Sequence, residues 1–177
     1  MKIGTWNVRS LFLSGALKVL HNELSDLDFD VVALQETQLE SGIKKFDNFA
    51  LFNSGLESKK HEFGCSFYLS GEFLKYVKDF KIISERICCL KLKAKWFSCT
   101  PCTNKWKNRR DKEEFYNLLE QNINQIARSD IKIILGDFNG KGGKESVYKC
   151  TIGNESLHNE TNKNGTKIIQ FLRYPMV

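Results

Sequence analysis

The stretch Ile131 to Gly140, IKIILGDFNG, constrains this chain more than any other. Its apolar run Ile131-Lys132-Ile133-Ile134-Leu135 predicts a short buried strand, which Gly136 ends. An acid and an amide follow, two residues apart, at Asp137 and Asn139. Residues at i and i+2 can face one side where a strand runs out, so both side chains can serve one spot. An Asx turn would use the same residue types, because Asp, Asn and Gly all favour turns.

Two earlier stretches repeat the design. KIGTWNVR (Lys2 to Arg9) is strand-like and ends at Asn7, and VVALQETQ (Val31 to Gln38) is a β-branched apolar run that ends at Glu36. Between them Leu13, Leu17, Leu20, Leu24 and Leu27 recur at helical spacing, which predicts a helix from about Ser14 to Asp26. The chain therefore opens β-α-β, the signature of an α/β fold. In open α/β sheets ligands gather beyond the carboxyl ends of the strands. Three strands that each end on a group able to meet a metal or a phosphate point to one site there.

The 177 residues favour a single domain. A net charge of +6 suits a polyanion such as nucleic acid. No apolar stretch approaches the roughly 20 residues of a membrane span. Asn7, Arg9 and Lys18 interrupt what would be the apolar region of a signal peptide. The expectation is an intracellular protein, nuclear or cytoplasmic, with free thiols.

Further along, strands are expected at Phe46 to Phe52, Cys65 to Leu69, Lys81 to Ser84 and Ile87 to Lys93, with a turn at Glu85-Arg86. Phe115, Leu118, Leu119, Ile123 and Ile126 mark one face of a helix from Lys112 to Ala127. A short helix is expected at Lys167 to Arg173. His21 has no partner at ligand spacing and reads as a packing or surface residue. Cys99-Thr100-Pro101-Cys102 mimics a redox motif, and zinc binding with Cys88 and Cys89 is a second possibility. Neither finds support elsewhere in the sequence. GKGGK (Gly140 to Lys144) does not fit a phosphate-binding Walker loop and reads as a flexible loop. KWKNRR is a basic run with an indole: Lys105, Lys107, Arg109 and Arg110 can neutralise phosphates and Trp106 can stack on a base. A solvated charged loop would look the same.

In order, TWNVRSL (Thr5 to Leu11), ALQET (Ala33 to Thr37) and IILGDFN (Ile133 to Asn139) resemble the endonuclease/exonuclease/phosphatase superfamily, and within it the AP-endonuclease-like domains of non-LTR retrotransposons. The similarity runs over nearly the whole chain, including EFYNLLE and SLHNETNKNG. It implies an α/β fold of the DNase I type, an α+β four-layer sandwich of two sheets covered by helices. It also implies hydrolysis of a phosphodiester in DNA or another nucleic acid, assisted by Mg2+ or Mn2+. Glu36 would be a metal ligand and Asn7 would assist at the metal or phosphate. Asp137 would orient or deprotonate the attacking water, and Asn139 would bind the phosphate or hold that water.

The sequence departs from the pattern in two places. A His-Ala-Pro-Thr-like stretch is replaced by Thr100-Pro101-Cys102-Thr103, which puts that loop's phosphate or metal contact in doubt. The family's C-terminal Asp-His pair is not among these residues: His21, His61 and His158 each follow a residue other than Asp. Residues 1–177 therefore read as a partial domain, roughly the N-terminal part of the sandwich, without its last strands. Two readings follow: a nuclease domain, or a non-catalytic transposon-derived remnant that binds nucleic acid or protein.

Overall fold

The computed structural model describes residues 1–55, 64–93, 97–102 and 109–173. They divide into two compact units, Met1–Thr103 with Ser129–Asp137, and Asn104–Arg128 with Phe138–Val177.

The first unit begins with β1 (Ile3–Asn7), α1 (Ala16–Asp26) and β2 (Val31–Gln35), and β1 pairs with β2 in parallel. Three antiparallel strands complete this sheet: β3 (Gly42–Lys45), β4 (Phe49–Asn53) and β5 (Cys65–Ser70). The strand order is β1-β2-β5-β4-β3. A second sheet follows, in sequential order, from β6 (Val77–Ser84), β7 (Ile87–Leu92), β8 (Phe97–Cys102) and β9 (Ile131–Gly136). Its last pair, β8 with β9, is again parallel. Parallel neighbours need a long crossover, and the chain between them runs through α2 (Arg109–Asn124).

β2 is buried at all five positions. That explains its unbroken apolar run, since a strand covered on one face only would alternate. Val31 and Ala33 join Phe52, Phe67 and Leu69 in a core shared with Cys88, Leu90 and Leu92 of β7. This core lies between the two sheets. Val32 and Leu34 point the other way and pack with Leu51 and Tyr68 against Leu20 and Leu24 of α1. The first unit is thus three layers deep: helix, sheet, sheet. Full burial of side chains such as Phe67 or Leu69 stabilises by about 1.5–3 kcal/mol each.

In the second unit, α2 is joined by α3 (Lys149–Ile152) and α4 (Lys163–Arg173). The rings of Tyr116 and Phe171 lie 5.7 Å apart, and Ile169 is buried.

The expected elements are present, with shifted ends. Leu13 and Leu27 fall outside α1 and are exposed, because Gly15 starts the helix in a left-handed conformation and Leu27 caps it. α2 begins at Arg109, three residues before the expected start. β3 was not expected, being a short, exposed edge strand with Lys44 and Lys45 on it. His21 is a packing residue: its ring stacks on Phe49 at 4.3 Å, and Nδ1 lies 3.0 Å from the Tyr68 hydroxyl. Burial raises that phenol above its usual range.

Candidate active site

The strand ends place three polar side chains at one spot of the first unit. Asn7 is the last residue of β1 and lies in register with Gln35, the last of β2. Glu36 is therefore the next residue beyond the same edge. Asp137 directly follows Gly136 of β9. The Asn7 amide Nδ2 donates to Glu36 Oε1 at 3.1 Å and to Asp137 Oδ2 at 3.0 Å. Its Oδ1 accepts the backbone N–H of Arg9 at 3.1 Å. This set of partners fixes the orientation of the amide. The two carboxylates accept only, so they need the NH2 end, and the Arg9 N–H needs the oxygen.

Asn7 is thus a bridge between two acids. Its oxygen accepts one N–H from Arg9 and has a second lone pair, so Asn7 Oδ1 and the two carboxylates are the hard oxygen donors here. Two acids held by one amide place negative charge in a small volume. Mg2+ prefers hard oxygen ligands, often one or two carboxylates with water and phosphate. The donor set fits that ion. Among the described residues, no group of three or more His, Cys, Asp or Glu could hold a metal ion.

Glu36 is buried, with 8% exposure, and has φ of 57°. A left-handed conformation at a residue other than glycine is strained and persists where its surroundings over-determine it. Here the neighbours do so. Thr37 N–H donates to the Gly64 carbonyl at 3.1 Å, and Leu11 N–H to the Thr37 carbonyl at 2.9 Å. The Ser66 hydroxyl lies 3.1 Å from Thr37 Oγ1 and 2.7 Å from Asn53 Oδ1. Gln35, also buried, donates to Thr5 Oγ1 at 3.0 Å and to the Ala33 carbonyl at 2.9 Å. The sequence reading missed these supporting residues. The one signal was a run of polar residues, Gln35-Glu36-Thr37, continuing a strand that is otherwise apolar.

Asn139 belongs to the second unit, where it is exposed with φ of 44°. Its carbonyl accepts from Asn164 Nδ2 at 3.1 Å. The glycine-rich stretch beside it is not a free loop. Lys141 and Asn162 exchange two hydrogen bonds, and Gly143 N–H donates to Thr161 Oγ1 at 2.8 Å. Asn162 also caps α4 through the Gly165 N–H at 2.7 Å. A Cβ at Gly140 would collide with Ile168, and one at Gly165 with the Lys141 carbonyl. These glycines are there for close packing, which corrects the expectation of a flexible loop. Glu145 accepts from Thr161 N–H at 2.7 Å and from its hydroxyl at 2.8 Å. The Thr161 backbone bond is the main reason its carboxyl sits below the usual range.

Of the basic run, Lys105, Trp106 and Lys107 lie outside the described residues. Arg109 and Arg110 start α2, and Arg110 is exposed. Cys99 to Cys102 form part of β8, and their side chains also lie outside the described residues, as do Lys59, Lys60 and His61. No helix among the described residues is long and apolar enough to cross a membrane.

Comparison with known proteins follows the same lines. Craniofacial development protein 2 of Tragulus javanicus is 23% identical over 177 residues, covering 97% of this chain and 30% of that protein. Its Bos taurus counterpart is also 23% identical, with 97% and 29% covered. The chain thus spans about three-tenths of the curated relatives it matches. Among solved structures, the catalytic domain of Xenopus laevis APE2 superimposes with a TM-score of 0.63 at 16% identity, over 97% of this chain and 67% of that one. The endonuclease domain of TRAS1, a telomere-specific non-LTR retrotransposon, gives 0.57 at 12% identity, over 95% and 67%. D. rerio TDP2, solved with a single-strand DNA product, gives 0.52 at 16% identity, over 75% and 58%. These likenesses establish an α/β fold of the DNase I type. The model of the endonuclease/exonuclease/phosphatase family matches residues 4–146, and the chain belongs to that family.

Proposed function

We propose that Asn7, Glu36 and Asp137 form the metal and water side of a nucleic-acid phosphodiesterase site. The observation that carries this is the Asn7 amide shared between the two carboxylates. Glu36 would hold Mg2+ or Mn2+. When bound, such an ion offsets charge that develops on the phosphoryl oxygens. Asn7 holds the acids at a fixed spacing. Asp137, held by the Asn7 amide through Oδ2, would orient the attacking water and accept its proton. The part of Asn139, phosphate contact or water holding, follows from its place in the GDFN motif.

Nucleic acid is the substrate class best supported: the net charge is +6, and the fold is shared with nucleases such as the TRAS1 endonuclease domain. Lys105, Trp106, Lys107, Arg109 and Arg110 are the proposed backbone and base contacts. The 177 residues carry Glu36, Asp137 and Asn139 but no Asp-His pair. Catalytic groups act as a unit, and losing one member can remove most of the rate. Made alone, this stretch is expected to bind DNA without nicking it.

The test uses a DNA duplex bearing an abasic site, and supercoiled plasmid, each with Mg2+ or EDTA. Binding is expected to tighten with Mg2+ in the wild type and to lose that response in Glu36→Gln. Binding indifferent to both Mg2+ and Glu36→Gln would sink the proposal. Mg2+-dependent nicking that disappears in Asp137→Asn would show that the stretch is sufficient for catalysis.

A further inference from the structure

Two polar side chains of the second unit, Lys112 and Asn164, form a hydrogen-bonded chain to the Asn139 turn. Lys112 lies in the first turn of α2, and Asn164 in the first turn of α4. The Lys112 ammonium donates to Asn164 Oδ1 at 2.5 Å, and Asn164 Nδ2 donates to the Asn139 carbonyl at 3.1 Å. Lys167 follows Asn164 by three positions, which puts the two on neighbouring points of one helix face. Its charge reaches Lys112. Burial first, and the Lys167 charge second, hold the Lys112 ammonium below the usual lysine range.

Among the described residues, no carboxylate forms an ion pair with Lys112 or Lys167. Like charges on Lys112 and Lys167 repel each other, and an anion that touches both turns the repulsion into attraction. Lys112 gives one N–H to Asn164 and has two more to offer. The same hydrogen-bonded chain fixes the backbone of Asn139, a residue in a left-handed conformation that its surroundings must hold.

We infer that Lys112 and Lys167 together bind one backbone phosphate of a nucleic-acid strand, and that Asn164 positions the Asn139 turn for it. The choice of a phosphodiester as the anion rests on the nuclease reading above. The two lysines are not part of the KWKNRR run; they stand on α2 and α4.

The experiment is fluorescence anisotropy of a labelled single-stranded oligonucleotide over a salt series, in EDTA and in Mg2+. One contacted phosphate contributes about 0.7 to the slope of log affinity against log salt on a single strand. Lys112→Gln with Lys167→Gln should flatten the slope by about that amount in both buffers. Lys112→Arg with Lys167→Arg should preserve it. Asn164→Leu keeps both charges, so the slope should hold while amide exchange at Gly140 quickens. A Gln pair with the wild-type slope would overturn the inference. Should the Gln pair fail to fold, the wild-type lysine side-chain resonances decide: those of Lys112 and Lys167 must shift when the oligonucleotide is added, and unmoved signals would overturn it equally. The EDTA arm needs no metal. A flattened slope there, combined with no effect of Glu36→Gln in Mg2+, would leave this site standing and remove the nuclease reading.

Discussion

Asn7 donates its side-chain amide to Asp137 at 3.0 Å across 130 positions of chain. The first strand of one sheet and the last strand of the other are thereby joined by a hydrogen bond between side chains. The same nitrogen reaches Glu36 at 3.1 Å, so both N–H groups are committed to acids. That amide is a donor shared by both carboxylates.

Replacing the bridge by an acid should therefore make the fold dependent on cations. Asn7→Asp puts a third carboxylate where a donor stood. It is expected to cost about 1–3 kcal/mol in EDTA, the range for disrupting a partly buried hydrogen-bonded group. Part of the loss should return with Mg2+, which can take over the bridging role. Urea unfolding with and without Mg2+ measures both. Equal stability of wild type and variant in EDTA would show that the bridge is dispensable.

The turn that presents Glu36 should be sensitive at a distance. Ser66→Ala removes the hydroxyl that links Thr37 to Asn53, in a fully buried setting. Leaving those groups short of a partner should cost about 1–3 kcal/mol. A loss within about 0.5 kcal/mol, the scale of ordinary surface changes, would mean that the network does not hold the turn.

Acid should loosen the loop that carries Glu145. Its carboxyl is depressed below the usual range, chiefly by the Thr161 backbone N–H. A group with a depressed folded value stabilises above its unfolded value and loses that contribution as pH falls through the folded one. Protection of the Thr161 amide against exchange should therefore fall between roughly pH 5 and pH 3, around and below the ordinary Glu value near 4.3. In Glu145→Gln the protection should start lower and change little over that range. An unchanged pH profile in the variant would assign the effect to another group.

Much of this was legible in the sequence, for a physical reason. A strand buried on both faces must be apolar throughout, so β2 stands out. β9 carries a similar apolar run but is only half-buried, with Ile131 exposed, which departs from the buried strand expected there. The polar residues that follow both runs are conspicuous. Asn7, Glu36 and Asp137 were readable in that way. Their hydrogen bonds were not, because nothing local encodes a contact between positions so far apart. β3 and the first half of β6 were missed because edge and half-exposed strands carry charges such as Lys44, Lys45, Lys78 and Asp79. The GKGGK stretch misled because glycine marks both loose loops and tight packing. Only the neighbours of Gly140 and Gly143, Ile168 and Thr161 among them, separate the two.

Whether Glu36 holds a divalent cation at the strand ends, beside Asn7 and Asp137, is read out with Mn2+ as a paramagnetic probe. In amide spectra of the folded protein, substoichiometric Mn2+ should broaden the signals of Asn7, Glu36 and Asp137 first, and Mg2+ should compete it away. Glu36→Gln should abolish the selective broadening while leaving the rest of the spectrum unchanged. Broadening centred elsewhere, or persisting at Asn7 and Asp137 in Glu36→Gln, would contradict the assignment.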